Sequence, residues 1–259
     1  MQQMTFMECV KRAWASTREA LTQMPLFLLG VFVAYTVLVW VAFAGRPVPG
    51  AGEVPSGGLV FAADIASLLN AVLYLVFTVK VYRFVLLREG TAPLFPLGGK
   101  PLLRMFGVSV TLTLALIVTG LVLYAVLQPH YSGGKAFLGV IVGVAWIYVA
   151  VRISLLFPSL ALGNRIDLRA AWHDSHGHFW ALFGVIFVAV LPLVVIGFLV
   201  LLFIGLAGIT PVAVHSPGRL LLLAAGQSLA SLIFSLVASS AQAWLYRRHA
   251  ERLPAPPSA

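Results

Sequence analysis

Six long apolar runs alternate with short segments rich in charge, glycine and proline, and this alternation organises the whole chain. The first run, Leu26 to Ala44, holds nineteen uncharged residues. At about 1.5 Å of rise per residue, a helix of that length crosses a hydrocarbon core of roughly 30 Å. The second run, Leu59 to Val79, is the most polar, with Asp64, Ser67, Asn70 and Thr78 inside it. The third is Met105 to Leu127. The fourth begins at Ala136 and reaches about Arg152, with a continuation toward Phe157 that Pro158 is expected to end, because proline lacks the N–H a helix needs. Phe179 to Leu206 is longer than a bilayer requires, so it should tilt or bend, and Pro192 is the place for a kink. Leu220 to Tyr246, bounded by Arg219 and Arg247, is the sixth. The pattern predicts an all-α polytopic membrane protein: six transmembrane helices in three hairpins, with short amphipathic interfacial helices.

The first of those interfacial helices lies within residues 1–24. Thr5 and Glu8 have the spacing of a capping box, and Met7, Val10, Trp14 and Leu21 recur on one face while Glu8, Lys11, Arg12, Arg18 and Glu19 fill the other. Such a helix suits the plane of the membrane interface on the cytoplasmic side. Residues 25–246 form the six-helix domain. Residues 247–259 end in LPAPPSA and read as a disordered cytoplasmic tail. RAWAST at Arg12 to Thr17 precedes the first span much as RAAWHDS at Arg169 to Ser175 precedes the fifth, which suggests an internal repeat of parallel hairpins.

Composition agrees with this picture. The chain is 61% hydrophobic and 10% charged, against about 25% charged for soluble domains. Its net charge of +9 would suggest nucleic acid in a soluble protein. Here fourteen of the seventeen Lys and Arg fall on one side once the spans are placed, leaving Arg46, Lys135 and Arg219 on the other. Positive residues stay cytoplasmic, so both termini are expected there, with membrane lipid rather than nucleic acid as the partner. Arginine outnumbers lysine thirteen to four, which fits a GC-rich bacterial genome and hence an inner membrane. No cleavable signal pattern opens the chain, so the first span is expected to direct insertion. Cys9 is the single cysteine, which excludes an intrachain disulfide and a cysteine metal cage.

Candidate chemistry gathers between Arg152 and Trp180, which hold three His, two Asp and three Arg. His173 and His176 are three apart, and Asp174 and His178 four apart, so each pair shares a helix face. The two pairs project in different directions, whereas a metal needs three or four converging ligands, so no metal or other cofactor is assigned. Arg152, Arg169, His173, His176 and His178 are candidates for contact with a lipid headgroup or another anion. A solvated interfacial turn, and for Arg152 snorkelling to the interface, stand as the plainer alternatives.

A second candidate set, Asp64, Asn70 and Gln227, marks a substrate or ion path along the polar faces of the second and sixth spans. Pairing of Asp64 with Lys135, Arg46 or Arg219 near the surface competes with that role. Ser228, Ser231, Ser235, Ser239 and Gln242 make a small-polar stripe on the sixth span, and Gly139 and Gly143 form G-x-x-x-G on the fourth. Both are read as packing features, since small residues let helices approach closely in lipid.

Enzyme signatures are missing from the sequence. PSGG at Pro55 to Gly58 is similar to the PSGH of membrane lipid phosphatases, but Gly58 stands where the histidine would be. There is no Walker A loop, HExxH or GxSxG, and the chain is expected not to be an enzyme. VYRFVLLREG at Val81 to Gly90, and RISLLFPSLAL at Arg152 to Leu162 leading into A-W-x-x-S-x-G-x-F-W, resemble bacterial six-helix inner-membrane proteins of uncharacterised function. More distantly they resemble the membrane domain of some bacterial glycerophosphoryl diester phosphodiesterases. That resemblance implies a six-helix fold over nearly the whole chain and transfers no catalytic or binding residue. Three functions follow: an accessory or interaction protein acting on other membrane proteins or a second copy, a transporter or lipid-handling protein, and a membrane enzyme using the histidine loop. A polar cavity between the second and sixth spans would favour the second; a solid serine-lined contact would not.

Overall fold

In the computed structural model, residues 5–45, 56–88, 99–126, 132–206 and 217–253 are described, with side chains except at 126, 132–136, 204–206 and 217. They form α1 (Phe6–Gln23), α2 (Pro25–Ala44), α3 (Gly57–Leu87), α4 (Lys100–Val126), α5 (Ser132–Ile153), α6 (Leu156–Ala161), α7 (Leu168–Asp174), α8 (Phe179–Leu206) and α9 (Pro217–His249), and no strand among the described residues. The protein is thus an all-α polytopic membrane protein: α2, α3, α4, α5, α8 and α9 are each long and apolar enough to cross a membrane. With 31 and 33 residues, α3 and α9 outrun a core of roughly 30 Å.

The tightly packed core sits at the end of the bundle that carries the basic residues. There α2, α3 and α9 pack together, α1 lies on α9 and α8, and α6 wedges under α3 and α4. Phe77, Tyr82, Phe84 and Leu86 of α3 are buried against Leu236, Leu245 and Tyr246 of α9 and Leu155, Leu156 and Leu160 around α6. Toward the other end the helices part: Leu114 to Val122 of α4, Phe137 to Ile147 of α5 and Val194 to Phe203 of α8 are mostly exposed. Lipid tails are as apolar as these side chains, so no hydrophobic force draws them together.

The cap predicted for α1 forms. Thr5 N–H donates to Glu8 Oε2 at 2.7 Å and Glu8 N–H to Thr5 Oγ1 at 3.4 Å, and the backbone donor holds the Glu8 carboxyl below the usual range. The inward face of α1 differs from the predicted one. Cys9, Val10, Ala13, Ser16, Thr17 and Ala20 are buried, whereas Met7 and Leu21 are exposed. Small side chains let α1 lie close on α9, where Trp244 Nε1 donates to Ser16 Oγ at 3.0 Å. Within the expected segment 1–24, α1 is therefore packed into the bundle against α9 and α8.

Three further expectations are corrected. Pro158 does not end the fourth span; the helix breaks earlier, at Ser154 and Leu155, and Pro158 sits in the first turn of α6. The break falls at the residue whose carbonyl Pro158 has no N–H to meet, and proline is tolerated in a first turn. The tail does not begin at Arg247, because α9 runs to His249 and the following backbone is hydrogen-bonded through Leu253; residues 254–259 lie outside the described residues. The two small-residue features separate: Ser228, Ser235 and Ser239 are buried contacts, but a Cβ on Gly139 or Gly143 would meet nothing within 4 Å. A close approach occurs instead at Gly45, where a Cβ would strike the Leu59 carbonyl oxygen and Ala63. α8 passes through Pro192 as one helix.

Candidate functional site

The second and sixth spans, α3 and α9, part from α4 to leave a groove of about 910 Å³. Two features of the sequence open it. The base of α4 is fastened, with Met105 buried and Arg104 Nη1 donating to the carbonyls of Gly163 and Asn164 at 2.9 and 2.8 Å. Beyond that point α4 presents the small side chains Ser109 and Thr113 to the groove between the larger Phe106, Val110 and Leu114. Leu75, Phe106, Leu114 and Phe234 provide apolar lining, and Tyr35, Ser67, Asn70, Tyr74, Ser231 and Ser235 provide polar atoms.

Asn70 is the predicted residue that the groove uses. Its Oδ1 is buried and has no hydrogen-bond partner. Nearby hydroxyls are committed to their own helices: Ser67 Oγ donates to Ala63 O at 2.8 Å and Ser235 Oγ to Ser231 O at 2.6 Å. Gln227 is exposed and does not line the groove; its Nε2 donates to Ser231 Oγ at 3.5 Å. Asp64 is exposed and does not line the groove. Of the partners considered for it, Arg46 and the side chain of Lys135 lie outside the described residues.

The second candidate set lies at the basic end, and the fold divides it. Arg152 is buried, not offered to an anion: Nε and Nη2 donate to Tyr148 Oη at 3.1 and 2.7 Å, and Nη1 to Trp172 O at 3.1 Å. Its guanidinium also lies 5.2 and 4.9 Å from the rings of Tyr148 and Trp172. Arg152 thus ties α5 to the end of α7, a structural post that neither snorkelling nor headgroup contact describes. Asp174 is fully buried and accepts from the backbone N–H groups of Glu251, Arg252 and Leu253. Its charge is satisfied by the chain and withheld from any metal.

Arg169, His173 and His176 do come together, with Trp172, around a surface hollow of about 410 Å³. His178 faces elsewhere, its ring 4.6 Å from that of buried His249. Among the described residues no three His, Cys, Asp or Glu side chains converge as metal ligands. The residues missed in the sequence are the aromatic ones, Tyr35 and Tyr74 in the groove and Tyr148 beside Arg152. Aromatic side chains are common throughout a membrane chain, so no local signal marked them; the four-residue spacing of Tyr148 and Arg152 was the one usable hint. Compared with known proteins, the chain matches no family model, no curated protein and no solved structure.

Proposed function

We propose that this multi-pass protein resides in a bacterial inner membrane with both termini in the cytoplasm, and binds a membrane lipid or similar amphiphile in the groove between α3, α4 and α9. One observation carries the proposal: the unpartnered Asn70 Oδ1 in the wall of an otherwise largely apolar groove. A buried carbonyl without a donor costs on the order of 1–3 kcal/mol. An amphiphile whose chain covers Leu75, Phe106 and Phe234, and whose hydroxyl or amide N–H reaches Asn70, removes that cost. Placement of fourteen of seventeen basic residues at one end supports the orientation. The resemblance to membrane domains of glycerophosphoryl diester phosphodiesterases agrees with a lipid ligand.

Native mass spectrometry of protein released from membranes in mild detergent tests this. Wild type should retain a lipid that Asn70→Leu loses. Equal lipid content in the two proteins, with both folded, overturns the assignment.

A role as an accessory or interaction protein is favoured by α5. Phe137, Val140, Ile141, Val144 and Ile147 are exposed, and the Gly139 and Gly143 backbones are open to a neighbour. A partner helix, from another membrane protein or a second copy, would find close approach there. Disulfide trapping through a cysteine introduced at Val140, in a Cys9→Ala background, distinguishes the two: a specific adduct supports a partner, and none leaves α5 facing lipid.

A further inference from the structure

Three helices each deliver an arginine to one place at the basic end. Arg12 of α1 and Arg247 of α9 both hold their guanidinium carbons 5.0 Å from the centre of the Trp244 ring, which is itself anchored by Ser16. Arg247 is partly buried, and Arg88, which follows α3, and Arg12 both lie close enough to repel its charge. Arg88 is ion-paired with Glu19 of α1. Among the residues making these contacts, one carboxylate stands against three guanidiniums, an excess that is repulsive unless an anion joins it.

The donors are incompletely used. Arg247 Nη2 donates to Leu86 O at 2.7 Å, but its Nε is buried without a partner, as is Nη1 of the adjacent Arg248. Arg88 also has φ 59°, the left-handed region that non-glycine residues enter at a cost. That conformation ends α3 and turns the Arg88 side chain to Glu19 of α1. Arginine and tryptophan together are typical of the level at which membrane gives way to water, where lipid phosphates lie.

We propose that Arg12, Arg88 and Arg247 form a binding site for a phosphate group, supplied by an anionic lipid headgroup or by a soluble phosphate compound. Planar guanidinium forks match the oxygens of phosphate, and three of them from separate helices surround it as a single lysine does not. The site is separate from the groove, so neither stands or falls with the other.

The test is a thermal-stability titration of purified protein in neutral detergent at fixed ionic strength, with phosphatidylglycerol, phosphatidylcholine and inorganic phosphate as probes. Wild type should bind phosphatidylglycerol better than phosphatidylcholine. Arg12→Gln and Arg88→Gln should each weaken binding roughly tenfold, the size of a lost charged hydrogen bond. Arg18→Gln, on the same helix outside the cluster, should change it less than about twofold, because exposed charges are screened. Protection by inorganic phosphate as well as lipid assigns a soluble source; protection by lipid alone assigns the headgroup. The site is overturned if neither phosphatidylglycerol nor inorganic phosphate binds wild type, if phosphatidylcholine binds as well as phosphatidylglycerol, if Arg12→Gln keeps wild-type affinity, or if Arg18→Gln loses as much as Arg12→Gln. Should Arg88→Gln fail to fold, Arg12→Gln decides, since that side chain is exposed and lies over the Trp244 ring. Asn70→Leu should leave this affinity unchanged.

Discussion

The buried carboxylate of Asp174 accepts a hydrogen bond at 2.9 Å from the backbone N–H of Leu253, 79 residues further along the chain. With the N–H groups of Glu251 and Arg252 it makes a clamp that fastens the end of α7 to the segment after α9. Asp174→Ala removes the acceptor from all three donors and should cost at least the about 1.5–3 kcal/mol that a single bond to a charged group contributes. Thermal unfolding in detergent measures the loss, and limited proteolysis should newly cleave near Glu251. An unchanged melting temperature with a resistant C-terminal segment would contradict the clamp.

Arg152 should tolerate no substitution by lysine. An ammonium replaces neither the fork that meets Tyr148 Oη and Trp172 O nor the face stacked on both rings. Arg152→Lys should lower stability by about 1–3 kcal/mol. It should leave the binding of anionic lipid unaltered, which a headgroup ligand would not.

Two glycines should behave oppositely. Gly45→Ala drives a methyl group into the Leu59 carbonyl where α2 meets α3, and overpacking of this kind costs typically about 1–3 kcal/mol. Gly143→Ala meets open space and should stay within about 0.5 kcal/mol of wild type in detergent. Melting curves of the two variants side by side are sufficient.

The pH response of α1 follows from Glu8. Its carboxyl is held below the ordinary 4.5 by the Thr5 N–H, so the cap is fully formed above that value and is lost as pH falls through the lowered one. Amide exchange at residues 6–10 should therefore quicken on acidification below about pH 4.5, and Glu8→Gln should flatten that dependence. Exchange that is independent of pH after correction for its intrinsic rate would remove the capping role.

Asp64 and Asn70 stand on the same helix, α3, and should differ in consequence. Asp64→Asn should leave retained lipid unchanged, because its exposed side chain does not line the groove, while Asn70→Leu depletes it. Loss of lipid with Asp64→Asn would move the ligand outward along α3.

Spans and their order were legible in the residues alone because each is a local property. A run of about twenty apolar residues must form its own backbone hydrogen bonds in lipid, whatever else surrounds it. The capping box of Thr5 and Glu8 was legible for the same reason. The face α1 presents was not, since Met7 and Leu21 are as content against lipid as against protein, and it is the small Ala13, Ser16 and Ala20 that permit contact with α9.

Charge behaved likewise. Residue spacing alone grouped Arg152, Arg169, His173, His176 and His178, but the fold gave Arg152 to Tyr148 and Trp172, gave Asp174 to the C-terminal backbone, turned His178 to His249, and left Arg169, His173 and His176 on a shared hollow. It also gathered Arg12, Arg88 and Arg247 from positions far apart in the chain. Hydropathy determines that these helices enter the membrane. Which of their polar atoms are satisfied and which are left facing a groove depends on how closely neighbouring helices approach, and that distance is set by side-chain size across helices far apart in the chain.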